Sequence, residues 1–213
     1  MKTVVFQGDS ITDCGRSFGA GMRKDIGQGY AVIASSKLSY ENPGKYEFYN
    51  RGISGNRIVD IYARIKKDCW NFNPDVLSLL AGINGVLHET GEEPNGVDAK
   101  RFEKVYEMLI EDTIERFPNI KIILMSPFIT RHESREENWD YLYSETQKRI
   151  KAVERIAKKY NCTYIPLQEK FDEAINKYPD VEWVADGVHP NPVGHQLIAE
   201  AWLEAFGEIE NDI

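Results

Sequence analysis

Cysteine is scarce in this chain: Cys14, Cys69 and Cys162 are the only three in 213 residues. The count is odd and no two lie close together. That argues against a disulfide framework and against a zinc site, and for free thiols in a reducing compartment. Excess positive charge is missing as well. Lys and Arg number 26 against 34 Asp and Glu, giving a formal charge of −8 and a pI near 5.1. Such a balance disfavours a nucleic-acid backbone or an anionic membrane as partner. The one basic cluster, Arg64 to Lys67, reads as a solvated helix face. No stretch approaches the ~20 apolar residues of a membrane span. Met1-Lys2-Thr3 leads straight into a short apolar run with no signal-peptide core, so a cytoplasmic location is expected. Asn161-Cys162-Thr163 matches a glycosylation sequon and is read as chance in that setting. Repeats, low-complexity tracts and linkers are absent too, and one domain over residues 1–213 is expected.

What the chain does contain is 42% hydrophobic residues, enough for a sizeable core. They fall in short runs that alternate with longer amphipathic segments. Strands are expected at Thr3 to Gln7, Glu47 to Arg51, Val76 to Leu80, Lys121 to Met125 and Thr163 to Ile165. Helices are expected at Gly29 to Ser39, Arg57 to Cys69, Asp98 to Arg116, Asn138 to Tyr160 and Val193 to Phe206. In the second of these, Ile58, Ile61, Tyr62 and Ile65 recur at helical spacing. Strand and helix alternating five times predicts an α/β protein, a three-layer α/β/α sandwich around a mostly parallel five-stranded sheet. Such sheets carry their chemistry at the carboxyl ends of the strands.

The first strand ends on Gly8-Asp9-Ser10, at that edge. A serine hydroxyl needs a base within reach, a partner that orients the base, and donors for the oxyanion. Of four histidines, His189 lies in the loop stretch "ADGVHPN", three residues after Asp186. A tight loop there folds the carboxylate onto the imidazole and leaves Nε2 free to take a proton. "YNRGISGN" follows the second strand, and Gly52, Ser54 and Gly55 suit close approach of a backbone amide. "LLAGING" follows the third, where Asn84 offers a side-chain amide. Each signal alone is weak, since a glycine turn after a strand is usually only a turn.

Taken together, the four blocks resemble the SGNH hydrolases of the GDSL esterase superfamily. Gly8-Asp9-Ser10-Ile11, Gly52-Ile53-Ser54-Gly55-Asn56, Gly82-Ile83-Asn84 and Asp186-Gly187-Val188-His189-Pro190 occur in that family's order. The resemblance implies a flavodoxin-like SGNH fold with Ser10 as nucleophile, His189 as base and Asp186 as its partner. It implies an oxyanion hole of the Ser10 amide, the Gly55 amide and the Asn84 side chain, with no cofactor and no metal. Asp9 is assigned a supporting role, holding the turn by capping backbone amides. Asp13 is read as a cap for the segment that follows it. One departure stands out: the family usually has Asn-Asp in the third block, and this chain has Asn84-Gly85. That change bears on the rigidity of the Asn84 loop and on the width of the pocket floor. Ser10 is followed two residues later by Thr12, so the Gly-x-Ser-x-Gly elbow of α/β-hydrolases is absent.

Longer stretches, "GDSITDCGR", "ILMSPF" and "VHPNPVGHQLIA", look like the intracellular acetylxylan esterases of this superfamily. The implied substrate is a small acetylated carbohydrate such as a xylo-oligosaccharide, and the implied assembly is a homo-oligomer. A lysophospholipase, thioesterase or general short-chain esterase keeps the same chemistry. A non-catalytic carbohydrate-binding relative and a metal hydrolase on Asp9, Asp13 and His189 are the readings outside it. Trp183 is expected as a wall of the site, against the ordinary alternative that it is core. Trp139, Tyr30 and Tyr141 are further aromatics near the expected cleft. His88 is read as a rim residue, His132 as a surface residue and His195 as a helix-packing or solvated one. Arg16 and Arg57 are read as partners of carboxylates. The charged segment Thr130 to Asp140 is open between a lid, an oligomer contact and a solvated loop.

Overall fold

A computed structural model of the chain describes residues 1–17 and 25–213. Chain order is β1 (Lys2–Gly8), α1 (Ser10–Asp13), α2 (Tyr30–Glu41), β2 (Tyr46–Asn50), α3 (Ile58–Asp68), β3 (Val76–Leu80), α4 (Ile83–Leu87), α5 (Ala99–Arg116), β4 (Lys121–Met125), α6 (Trp139–Tyr160), β5 (Thr163–Ile165), α7 (Leu167–Lys177) and α8 (Pro192–Ile209). The strands form one sheet in the order β2-β1-β3-β4-β5, with every pairing parallel. The chain steps from β1 outward to β2, then returns past β1 to β3. β1 and β3 therefore flank the point where strand order reverses, where open α/β sheets bind ligands.

Period-two alternation divides the strands between two cores. Val4, Phe6, Val76, Leu80 and Ile123 pack under α2, α7 and α8, with Trp202 fully buried among them. Val5, Leu77, Leu79, Ile122 and Leu124 pack under α3, α5 and α6. A sheet covered on both faces explains strands that read as continuous apolar runs. A smaller cluster of Ile83, Val86, Ile129, Leu142 and Val188 closes the carboxyl edge beside the candidate site.

Each of the five expected strands and five expected helices is present, with boundaries shifted by at most three residues. α7 is not among the expected helices. Leu167, Phe171 and Ala174 are its buried apolar residues at i, i+4 and i+7, so its signal is present but lies against a strand of only three residues. The single-turn helices α1 and α4 are too short to show a period.

Candidate active site

β1 ends in glycine because α1 doubles back over it. A Cβ at position 8 would lie 2.3 Å from the Thr12 hydroxyl oxygen and 2.6 Å from the Leu80 carbonyl oxygen. With that contact allowed, the chain turns within two residues and Ser10 becomes the first residue of α1. Asp9 is 1% exposed and its Oδ1 accepts the Ile11 amide at 3.0 Å. Among the described residues, its Oδ2 has no hydrogen-bond partner. Burial pushes the Asp9 carboxyl up to about 6, against the smaller opposing effects of the Ile11 amide and the nearby His189.

Ser10 Oγ lies 2.9 Å from His189 Nε2, and His189 Nδ1 lies 2.8 Å from Asp186 Oδ2. Because the carboxylate can only accept, the network assigns the ring proton to Nδ1 and leaves Nε2 to accept from the serine. The other carboxylate oxygen, Oδ1, accepts the amides of Val188 at 3.1 Å and His189 at 2.9 Å. Partial burial would raise Asp186. The His189 ring and these two amides outweigh that and hold the carboxyl down to about 2. The arrangement is a relay able to deprotonate an alcohol while keeping the counter-charge fixed.

Asn84 is buried in α4, and its side-chain nitrogen donates to the Asn56 carbonyl oxygen at 3.1 Å. That leaves its second amide hydrogen free to face a ligand. Among the described residues, no acceptor takes the amide hydrogens of Ser10 or Gly55. The turn containing Asn84 is held without the aspartate common in the family. Gly85 O accepts the Val97 amide at 2.9 Å, and Asn84 O accepts the His88 amide at 3.1 Å. Gly85 lines a polar cavity with Glu89, Glu145 and Arg149 and does not widen a floor beneath Ser10.

Several residues prove to tie the strand-end loops together. Arg64 does not lie on a solvated face. Its side chain is 14% exposed, and it donates to Asn56 Oδ1 at 2.7 Å, Arg51 O at 2.8 Å, Gly8 O at 3.3 Å and Asp68 Oδ2 at 3.2 Å. It thereby joins the Ser10 turn to the loop after β2. Asp13 accepts the Ser54 amide at 2.9 Å, so it caps the neighbouring loop and not the segment after α1. Arg16 donates to Gly52 O at 2.8 Å, and Arg57 pairs with Asp60 at 2.8 Å. Asp13 therefore does not converge with Asp9 and His189. Only the Arg64–Asp68 pair, at i and i+4 within α3, has a spacing that the sequence shows; the partners of Arg64 at Gly8, Arg51 and Asn56 lie on other elements.

The segment after β4 contains a 3-10 turn over Glu133–Asn138, capped by His132. Its Arg135 reaches Asp186, donating from Nε to the backbone oxygen at 2.6 Å and from Nη2 to Oδ2 at 3.0 Å. Trp183 does not face Ser10. It lines a groove of about 540 Å3 between α7 and α8 with Tyr178, Lys177 and Leu197, and Ser10, Asn84 and His189 do not line that groove. Placement three residues before Asp186 suggests otherwise, but the chain reverses between them through the Val184–Pro190 bridge. Tyr30 is core, its hydroxyl 3.0 Å from that of Thr12. Trp139 stacks on Tyr143 and lies under Arg131, beside the small apolar cluster. His195 is buried, with Nδ1 accepting the Tyr30 amide at 3.2 Å and Nε2 3.3 Å from Cys14 Sγ. Burial pushes that imidazole down to about 4. All three cysteines are free.

A sequence profile of the GDSL-like lipase/acylhydrolase family matches residues 6–197, spanning the Ser10 turn and the Asp186–His189 loop alike. The chain belongs to the GDSL-like lipase/acylhydrolase family. As a family member it is a carboxylic ester hydrolase of the GDSL serine type. An acetylxylan esterase from Geobacillus stearothermophilus is 32% identical over 212 residues, covering 97% of this chain and 94% of the relative. A Parabacteroides merdae protein described as a GDSL-like lipase superposes with a TM-score of 0.89 at 34% identity, covering 97% of this chain and 95% of that one. Axe2, an acetylxylan esterase from Geobacillus stearothermophilus, superposes at 0.84 with 29% identity, covering 97% and 94%. Axe2 structures include catalytic mutants in which a serine, an aspartate or a histidine is replaced by alanine. Among the described residues of this GDSL-family chain, no helix is long and apolar enough to cross a membrane.

Proposed function

We propose that this esterase removes acetyl groups from acetylated xylo-oligosaccharides through an acyl-enzyme on Ser10. The observation that carries the reading is the unbroken chain from Ser10 Oγ through His189 to Asp186, with separations of 2.9 and 2.8 Å. His189 Nε2 takes the hydroxyl proton as Ser10 Oγ attacks the acetyl carbonyl carbon. The carbonyl oxygen becomes an oxyanion held by the Ser10 and Gly55 amides and the Asn84 side chain. The tetrahedral species collapses, the sugar oxygen leaves with the proton from His189, and acetyl stays on Ser10. Water, deprotonated by the same ring, attacks the acyl-enzyme and releases acetate. No step requires a metal or cofactor. The carbohydrate part of the reading draws on the likeness to Axe2 over 97% of this chain.

Acetate release from acetylated xylo-oligosaccharides, compared between wild type and Ser10→Ala, tests both halves. Release by the wild type alone is the expected result. Cleavage of an aryl acetate with no release from the sugar would leave the serine chemistry and remove the xylan substrate, returning a general short-chain esterase. We further propose that the enzyme works in the cytoplasm as a homo-oligomer. A monomer in sedimentation at micromolar concentration would refute the assembly.

A further inference from the structure

We propose that Arg135 is a positioning residue of the catalytic relay, gripping Asp186 by its carboxylate and its backbone at once and limiting the negative charge Asp186 presents to His189. The proposal rests on the acyl-enzyme reading above and assigns a part in it to a segment far from the four sequence blocks.

The geometry is specific. Arg135 Nη2 donates at 3.0 Å to Oδ2, the same oxygen that accepts His189 Nδ1 at 2.8 Å. Arg135 Nε donates at 2.6 Å to the Asp186 carbonyl oxygen. With the Val188 and His189 amides on Oδ1, both carboxylate oxygens are fully engaged. The loop is also shaped around this side chain. Gly187 has φ +90°, and a Cβ there would lie 3.2 Å from Arg135 Cδ and 2.8 Å from the Thr130 carbonyl oxygen. The Thr130 amide donates to Gly187 O at 2.8 Å. Residues 130–135 and 186–189 are thus laced together at three points. The Arg135 side chain is 18% exposed and that of Asp186 is 37% exposed.

An exposed ion pair on its own contributes little. This one differs because its acceptor is shared with the base. The amides and the His189 ring suffice to keep Asp186 ionised. Arg135 therefore acts in two other ways. A planar fork on two acceptors fixes the carboxylate's rotation, as a point charge cannot. A guanidinium 3.0 Å from Oδ2 also cancels part of the field that would stabilise the imidazolium formed when His189 takes the Ser10 proton. Arg135 thereby offsets part of the counter-charge that Asp186 offers to the His189 ring. Among the described residues, Asp9 in the turn after β1 and His195 on α8 also interact electrostatically with His189.

The test is kcat/KM against pH for an aryl acetate, measured for wild type, Arg135→Gln and Arg135→Lys, each also on an Asp9→Asn background so that Asp9 cannot supply the acid limb. Arg135→Gln removes the charge. Its acid limb should move up by about half a pH unit, with plateau kcat down about tenfold and KM nearly unchanged. Arg135→Lys keeps the charge without the fork, so its limb should stay at the wild-type position while kcat falls severalfold. An Arg135→Gln profile that superimposes on the wild type after scaling overturns the charge role. Wild-type kcat in Arg135→Lys overturns the positioning role, and does so even if Arg135→Gln fails to fold. Activity persisting in Ser10→Ala would instead sink the acyl-enzyme reading on which the inference stands.

Discussion

Asp9 adjoins Ser10 in the chain while Asp186 pairs with His189, and their surroundings push them in opposite directions. Asp9 is sealed at 1% exposure with one amide donor, and its carboxyl is pushed up to about 6. Asp186 is partly open to water and receives two amides and an imidazole, which outweigh its partial burial and hold its carboxyl down to about 2. The same side chain thus serves twice. In one place it is a buried turn former that tolerates a proton. In the other it is a permanent charge. Donor count and solvent access decide which, and neither is written in the residue type.

Asp9 binds its proton more tightly folded than unfolded, so it favours the fold at low pH. That contribution is lost as pH rises from about 4 to about 6. Asp186 does the reverse, favouring the fold above about 4 and losing its contribution as pH falls towards 2.

The largest test of this contrast is Asp186→Asn. The amide cannot hold His189 in the same tautomer or balance its charge, and kcat on an aryl acetate should fall by roughly 10⁴. A loss below tenfold would mean the relay does not run through Asp186. Next comes Asn84→Ala, which removes a neutral donor answering to neither carboxylate. We expect kcat to fall by about 10²–10³ with little change in KM. An unchanged kcat would take Asn84 out of the oxyanion hole. The smallest catalytic effect is expected for Asp9→Asn, which should retain the turn and most of the activity. Its signature is thermodynamic. Wild type should lose on the order of 3 kcal/mol through this group between pH 4 and 7 by urea unfolding, and the variant should lack that slope. A parallel slope in both would show that Asp9 titrates as an ordinary surface carboxylate, and the contrast with Asp186 would collapse.

Much of the fold and of the relay is legible in the order of the residues. The alternation of short, mostly apolar runs with amphipathic segments is enough to place every strand, because a strand covered on both faces buries most of its side chains. The Asp-x-x-His spacing around a glycine is a weak signal alone, and it points to a relay only together with the other three blocks. Other features are not legible there. Trp183 stands close to Asp186 in sequence, yet a backbone reversal sends it to the groove between α7 and α8. Arg64 sits in a run of basic residues, but its helix face turns it inward to the carbonyls of Gly8 and Arg51.

The layers, the sheet edge that carries the four blocks and the residue types of the proposed relay can be read from the order of residues alone. Those depend on local period, on turn-forming glycines and on side-chain chemistry, all carried by neighbouring residues. Which carboxyl is raised by burial and which is held low was settled by packing between distant elements. It also decided that Arg64 braces the Ser10 turn and that Arg135, 51 residues before Asp186, shares that residue's Oδ2 with His189. Desolvation and shared hydrogen bonds arise only when distant elements pack, so no stretch of sequence contains them.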